Sequence, residues 1–146
     1  MLYSVRLSGL TIEELLQKGG YSSVSPVIDE VPAGYSLAGV TEARISLIHL
    51  DSEVETGEVL RGLKANAVTP VNLRLLLELG WQFPYLQKEY PIVGLGSQLE
   101  HSPGNYLAPY LGTDSLQGEG NNRIVSLHMA ANFHWAPVCR FATVIV

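Results

Sequence analysis

An imidazole, an indole, a thiol and a guanidinium crowd into one short stretch at His134, Trp135, Cys139 and Arg140, with Phe141 behind them. Those groups together have the chemistry of a small-molecule site, an apolar wall carrying a few convergent polar groups. His128 joins them, because it alternates with Ser126 and Ile124 on what reads as the more polar face of a strand. We therefore take His128, His134, Trp135 and Arg140 as candidate ligand-binding residues, with a modest hydrolytic activity as the catalytic version of that site. The same residues admit a structural role. Trp135, shortly before Pro137, can plug the end of a core, and Arg140, the one charge between Val138 and Val146, can pair with a carboxylate such as Glu78 or Glu89.

Other constellations are weaker. His49 beside Asp51 reads as a hydrogen-bonded histidine at the edge of the core. Ser97, His101 and Asp114 can be drawn together as a triad, but without a nucleophile elbow any loop-rich chain offers such a set. Gly94-Leu95-Gly96 follows an apolar run as a phosphate loop does, yet Leu99 stands where the third glycine belongs. The four histidines follow no zinc spacing and Cys139 has no second cysteine, so we expect no metal and no cofactor, and assign no catalytic residue. Trp81, Tyr85 and Tyr90, with Tyr106 and Tyr110, form an aromatic group of the kind that covers cores or subunit contacts; Trp81, Tyr85 and Tyr90 are the interface candidates.

Composition narrows the partner. Charged residues make up 16% of the 146, well below the usual share of about 25%, which points to surface covered by a second copy or another protein, most simply in a homodimer. Nine basic residues, scattered singly, stand against fourteen acidic ones for a net charge of −5, so we expect no nucleic-acid partner. Arg6 interrupts the N-terminal pattern where a signal peptide needs an apolar run, and no stretch is long enough to cross a bilayer. A single cysteine suits a reducing compartment, and we expect a cytoplasmic protein.

The elements that must position these residues are readable in part. Leu2 to Leu7 alternates as a half-buried strand. Thr11 and Glu14 form a capping box ahead of a helix striped by Ile12, Leu15 and Leu16. Tyr21 to Val40 reads as a long ordered, partly extended loop, and Ala43 to Leu50 as a central strand apolar on both faces. Ser52 and Glu55 suggest a second box, opening a helix from about Glu53 to Ala65 on a Val54, Leu60, Leu63 and Ala67 stripe. Thr69-Pro70 has the form of a helix start before Leu73, Leu76 and Leu77, with Gly80 as its stop. These two helices are long enough to cross between parallel neighbours, the second strand opening at Pro91, with an antiparallel return as the alternative. Gln98 to Asn105 reads as a turn, and Tyr106 to Leu111, Arg123 to Met129 and Val138 to Val146 as strands in an antiparallel C-terminal third, the first two separated by a loop from Gly112 to Asn122.

Several of these segments, in this order, carry a resemblance: Ile12-Glu13-Glu14-Leu15-Leu16 with Gly19-x-Tyr21, Ile48-His49-Leu50, Thr69-Pro70 before the leucines, Pro84 to Ser97, and Trp135 with Cys139-Arg140-Phe141-Ala142. In them the chain resembles a set of small, functionally uncharacterised bacterial proteins common in environmental genomes. It departs at the end, where the family pattern closes on a basic residue and this chain has Thr143-Val144-Ile145-Val146. The resemblance implies a shared fold and an accessory role, and carries no activity. The expected molecule is thus a single α+β domain, a mixed or mostly antiparallel sheet with about three helices packed on one face. Its expected role is that of a non-enzymatic binding or interaction protein; the alternative is a small-molecule-binding protein or modest hydrolase.

Overall fold

The computed structural model describes residues 1–114, 122–131 and 133–145. Most of the expected loop Gly112 to Asn122, and Val146 of the last expected strand, lie outside the described residues. The chain runs β1 (Leu2–Arg6), α1 (Ile12–Lys18), β2 (Ser23–Val24), a 3-10 turn (Ile28–Glu30), β3 (Glu42–His49), β4 (Val54–Glu55), α2 (Thr56–Ala65) and β5 (Thr69–Pro70). It continues through α3 (Leu73–Gln82), α4 (Leu86–Glu89), β6 (Ile92–Val93), β7 (Leu99–Ser102), β8 (Asn105–Thr113), β9 (Arg123–Met129), β10 (His134–Trp135) and β11 (Arg140–Ile145). Nine strands form one mixed sheet in the order β1-β3-β11-β6-β8-β9-β2, with β5 beside β11 and β7 beside β8, while β4 and β10 pair separately. No helix among the described residues is long and apolar enough to cross a membrane.

Strand alternation divides the interior into two cores. On the first face of the sheet Val5, Ile45, Ala142, Val144, Ile92, Leu111 and Val125 meet Leu15 of α1, the leucines of α3 and Leu86 of α4. Three helices therefore pack on one face, and the molecule is a single α+β domain. The fourth helix, α2, lies on the second face, where Val59 and Leu63 join Phe141, Val93, Ala108 and Trp135.

Local signals hold where no neighbouring element competes for the same backbone. The Thr11 box caps α1 as expected: Thr11 Oγ1 accepts from Glu14 N at 3.1 Å and Glu14 Oε1 from Thr11 N at 3.0 Å, which holds the Glu14 carboxyl below its usual range. At α3 the sheet overrides the expectation. Thr69 and Pro70 pair with Val144 and Thr143 of β11, so the helix starts later, capped by Asn72 Oδ1 accepting from Leu75 N at 2.9 Å. It also runs through Gly80 to Gln82; a Cβ at Gly80 would lie 2.5 Å from the Tyr21 hydroxyl, so this glycine serves close packing and not a stop. For α2, pairing of Val54 and Glu55 with Trp135 and His134 keeps the backbone extended through Glu55, and the box moves to Glu55 and Glu58. Its buried side chains are Thr56, Val59 and Leu63, not the stripe through Leu60 and Ala67.

Topology departs from expectation in two places, the neighbours of β3 and the Gln98 to Asn105 turn. β3 is an interior strand as its apolar faces imply, but β11 lies between it and β6, antiparallel to β3 and parallel to β6, so the two helices do not cross between parallel neighbours. Part of the Gln98 to Asn105 turn is a strand, β7, whereas Tyr21 to Val40 is the expected loop, extended at β2 and holding the 3-10 turn. The outer edge of β1 is capped by side chains at its C-terminal end: the Gln82 amide both accepts from Arg6 N (3.0 Å) and donates to Arg6 O (2.7 Å), and just beyond the strand the fully buried Glu78 accepts from Ser8 N at 2.8 Å and Ser8 Oγ at 2.9 Å.

Candidate functional site

The four candidate ligand residues do not converge. His128 and Trp135 do meet, on the second face, with ring centroids 5.6 Å apart and Phe133 against both. His134 points away from that cluster into solvent, its Nε2 3.0 Å from Glu55 Oε1 across the β4–β10 pair. Arg140 shares strand parity with Ala142 and Val144 and so belongs to the first face, with the sheet between it and Trp135. Its guanidinium lies 4.2 Å over the Tyr90 ring and donates to Val138 O at 2.8 Å. Neither expected carboxylate takes it, since Glu78 is held by Ser8 at the β1 edge. The structural role of Trp135 does stand: it is 3% exposed, and its Nε1 donates to Thr56 Oγ1 at 2.7 Å.

The aromatic group is likewise dispersed. Tyr90 lies under Arg140, and Tyr110 faces His128 on the second face. Tyr85 is 54% exposed, at the end of an edge-to-face run through Phe83 to Tyr3. Trp81 lines an open groove of about 530 Å³ with Ser4, Arg6, Ser8, Glu42 and Gln82, two of which, Ser8 and Gln82, are already engaged at the β1 edge.

The remaining sequence candidates resolve into separate roles. Ser97 is buried; its Oγ accepts from Leu73 N at 2.9 Å and donates to Ala33 O, while Asp114 accepts from Asn122 and His101 lies beside Tyr106 and Met129, so no triad forms. His49 is not at the core edge but exposed, its Nδ1 3.9 Å from Asp51. Burial pushes the Cys139 thiol up, which keeps it protonated and a poor nucleophile. Gly94 and Gly96 pack against Val71, and a Cβ at Gly96 would lie 2.5 Å from Val71 O, so the run closes over the start of α3 and not over a phosphate.

A cavity that the sequence did not announce lies between α2 and the second face. It measures about 380 Å³, within the range of small-molecule sites, and its walls are Ile48, Leu50, Val54, Val59, Leu63 and Val68. The rest of its lining is one stripe running along α2 to its C-cap, Glu58, Gly62 and Asn66, at i, i+4 and i+8. Gly62 has no left-handed φ, and a Cβ there would meet nothing within 4 Å. Neither backbone conformation nor packing requires a glycine, which costs a helix roughly 0.5–1 kcal/mol relative to alanine; its structural effect is to leave the cavity mouth open. This stripe was the available signal, and it was masked by the wrong choice of buried face for the helix.

Comparison with known proteins found no matching family model, no matching curated protein and no matching solved structure. Among the described residues no three His, Cys, Asp or Glu side chains cluster as a metal site would need.

Proposed function

We propose that this protein is a non-catalytic binding protein and that its site is the aliphatic cavity under α2. The observation that carries this is the unfilled space itself, walled by six aliphatic side chains and widened by a helix-interior glycine that nothing else explains. An apolar cavity of this kind lowers the stability of the empty protein and gains when an apolar body fills it. One thermal-shift experiment tests it: a neutral alkyl probe, decanol, is expected to raise the melting midpoint of the native chain, and to lose that effect in Gly62→Leu, whose side chain occupies the space. A flat response in the native chain sinks the proposal.

A second reading, self-association or docking of a protein partner, is favoured by the exposure of Tyr85 at the end of its aromatic run. If Tyr85→Ser leaves the sedimentation behaviour of the chain unchanged, self-association through that run is excluded. One free cysteine fits the reducing cytoplasm, and the resemblance to small bacterial proteins supports an accessory role.

A further inference from the structure

We infer that the cavity under α2 takes an alkyl chain ended by a hydrogen-bond-donating cationic head, a primary ammonium, and discriminates against a carboxylate head. This rests on the binding function proposed above and adds the class of ligand.

The walls select the body of the ligand. All six are branched aliphatic side chains, with no aromatic face to stack a planar ring and no polar side chain within the wall to orient a polar one. A saturated chain matches them.

The α2 stripe selects the head. Glu58 uses Oε1 to accept from Glu55 N at 3.2 Å, which leaves Oε2 without a protein partner among the described residues. Asn66 donates Nδ2 to Gly62 O at 2.8 Å, which leaves Oδ1 as an acceptor in the same position. The rim along α2 and its C-cap thus offers two acceptor oxygens, one of them charged, against a single remaining neutral donor, the second N–H of Asn66 Nδ2. The basic residues of the helix lie elsewhere: Arg61 and Lys64 share a stripe with Gly57, and the Arg61 guanidinium folds back over Gly57, where a Cβ would lie 3.2 Å from Nη1. The segment leading into the helix adds Asp51, Glu53 and Glu55, so the field at the rim is negative. Of these, Glu55 is engaged by His134 and Asp51 lies near His49, whereas Glu58 has no cation within 4.0 Å among the described residues. A cationic head satisfies the two free acceptors, whereas an anionic head meets the like charge of Glu58 and finds only one neutral amide N–H to receive it.

The test is calorimetric titration of the whole chain with decylammonium, decanol and decanoate, each below its micelle-forming concentration, near neutral pH and low salt. Decylammonium should bind tightest and decanoate at least about tenfold more weakly. Glu58→Gln, which keeps the capping geometry because glutamine can serve in the same box, should erase most of that preference. Gly62→Leu should abolish binding of all three. Equal affinity for the three heads, or a preference that survives Glu58→Gln, overturns the inference about the head while leaving the binding function standing. Binding undiminished by Gly62→Leu overturns the cavity as the site, and no binding by any probe removes the function together with the inference.

Discussion

The indole N–H of Trp135 meets the hydroxyl of Thr56 at 2.7 Å, joining residues 79 apart in sequence and fastening β10 to the first turn of α2. Both groups are buried, so neither has water to turn to. Thr56→Val keeps the shape and orphans the indole, an expected loss of about 1–3 kcal/mol, whereas Thr56→Ser keeps the hydroxyl and should lose less. Trp135→Ala also empties the second core and should cost roughly 3–5 kcal/mol. Urea unfolding of the three variants ranks them, and a Thr56→Val protein as stable as the native chain would show that the bond contributes nothing.

Two glycines should respond oppositely to alanine. At Gly62 the new methyl enters open space on a helix, and the variant should be more stable by about 0.5–1 kcal/mol. At Gly96 the new carbon would lie 2.5 Å from Val71 O and 2.6 Å from Pro70 O, backbone atoms that cannot yield cheaply, and the loss should reach roughly 1–3 kcal/mol or more. Thermal unfolding of the pair checks both signs.

Tyr35 makes the fold sensitive to alkali. Its hydroxyl donates to Pro70 O at 2.7 Å and accepts from Asn72 N at 3.2 Å, and burial pushes the phenol up from 10.0 to about 12. A raised folded-state value means that the native protein holds this proton more tightly than the unfolded chain. The stabilisation is therefore complete below about pH 10 and is lost as pH climbs toward 12. Tyr21, also raised by burial and only partly offset by Arg123, acts with the same sign. Unfolding free energies across this window should fall for the native chain and fall less steeply for Tyr35→Phe, which starts lower because it lacks both hydrogen bonds; parallel slopes would remove Tyr35 as a source of the sensitivity.

What was legible in the sequence was what neighbouring residues decide among themselves. The Thr11 and Glu14 box needs only its own turn, and it formed as read. Thr69-Pro70 has an equally good local signal, but β11 takes that backbone into the sheet, and no nearby residue announces it. Arg140 misled for a related reason. Strand alternation already separates it from Phe141, yet the grouping with Trp135 treated closeness in sequence as closeness in space, and Trp135 reaches the second face through a two-residue strand too short to carry a pattern. The cavity was the least legible feature, because its helix stripe is visible in the chain while the residues opposite, Ile48 of β3 and Leu50 just beyond it, depend on where β3 lies relative to α2.

The position of β11 governs when the molecule can exist at all. It is the last of the described strands to leave the ribosome, and it alone joins β1 and β3 on one side to β6, β8, β9 and β2 on the other. Before it emerges, β3 and β6 each expose a ladder of unpaired backbone groups, and both cores lack a wall. A chain whose β11 has not yet docked is two unfinished ribbons with sticky edges, and its folding waits on pairings distant in sequence, open to capture by other chains meanwhile.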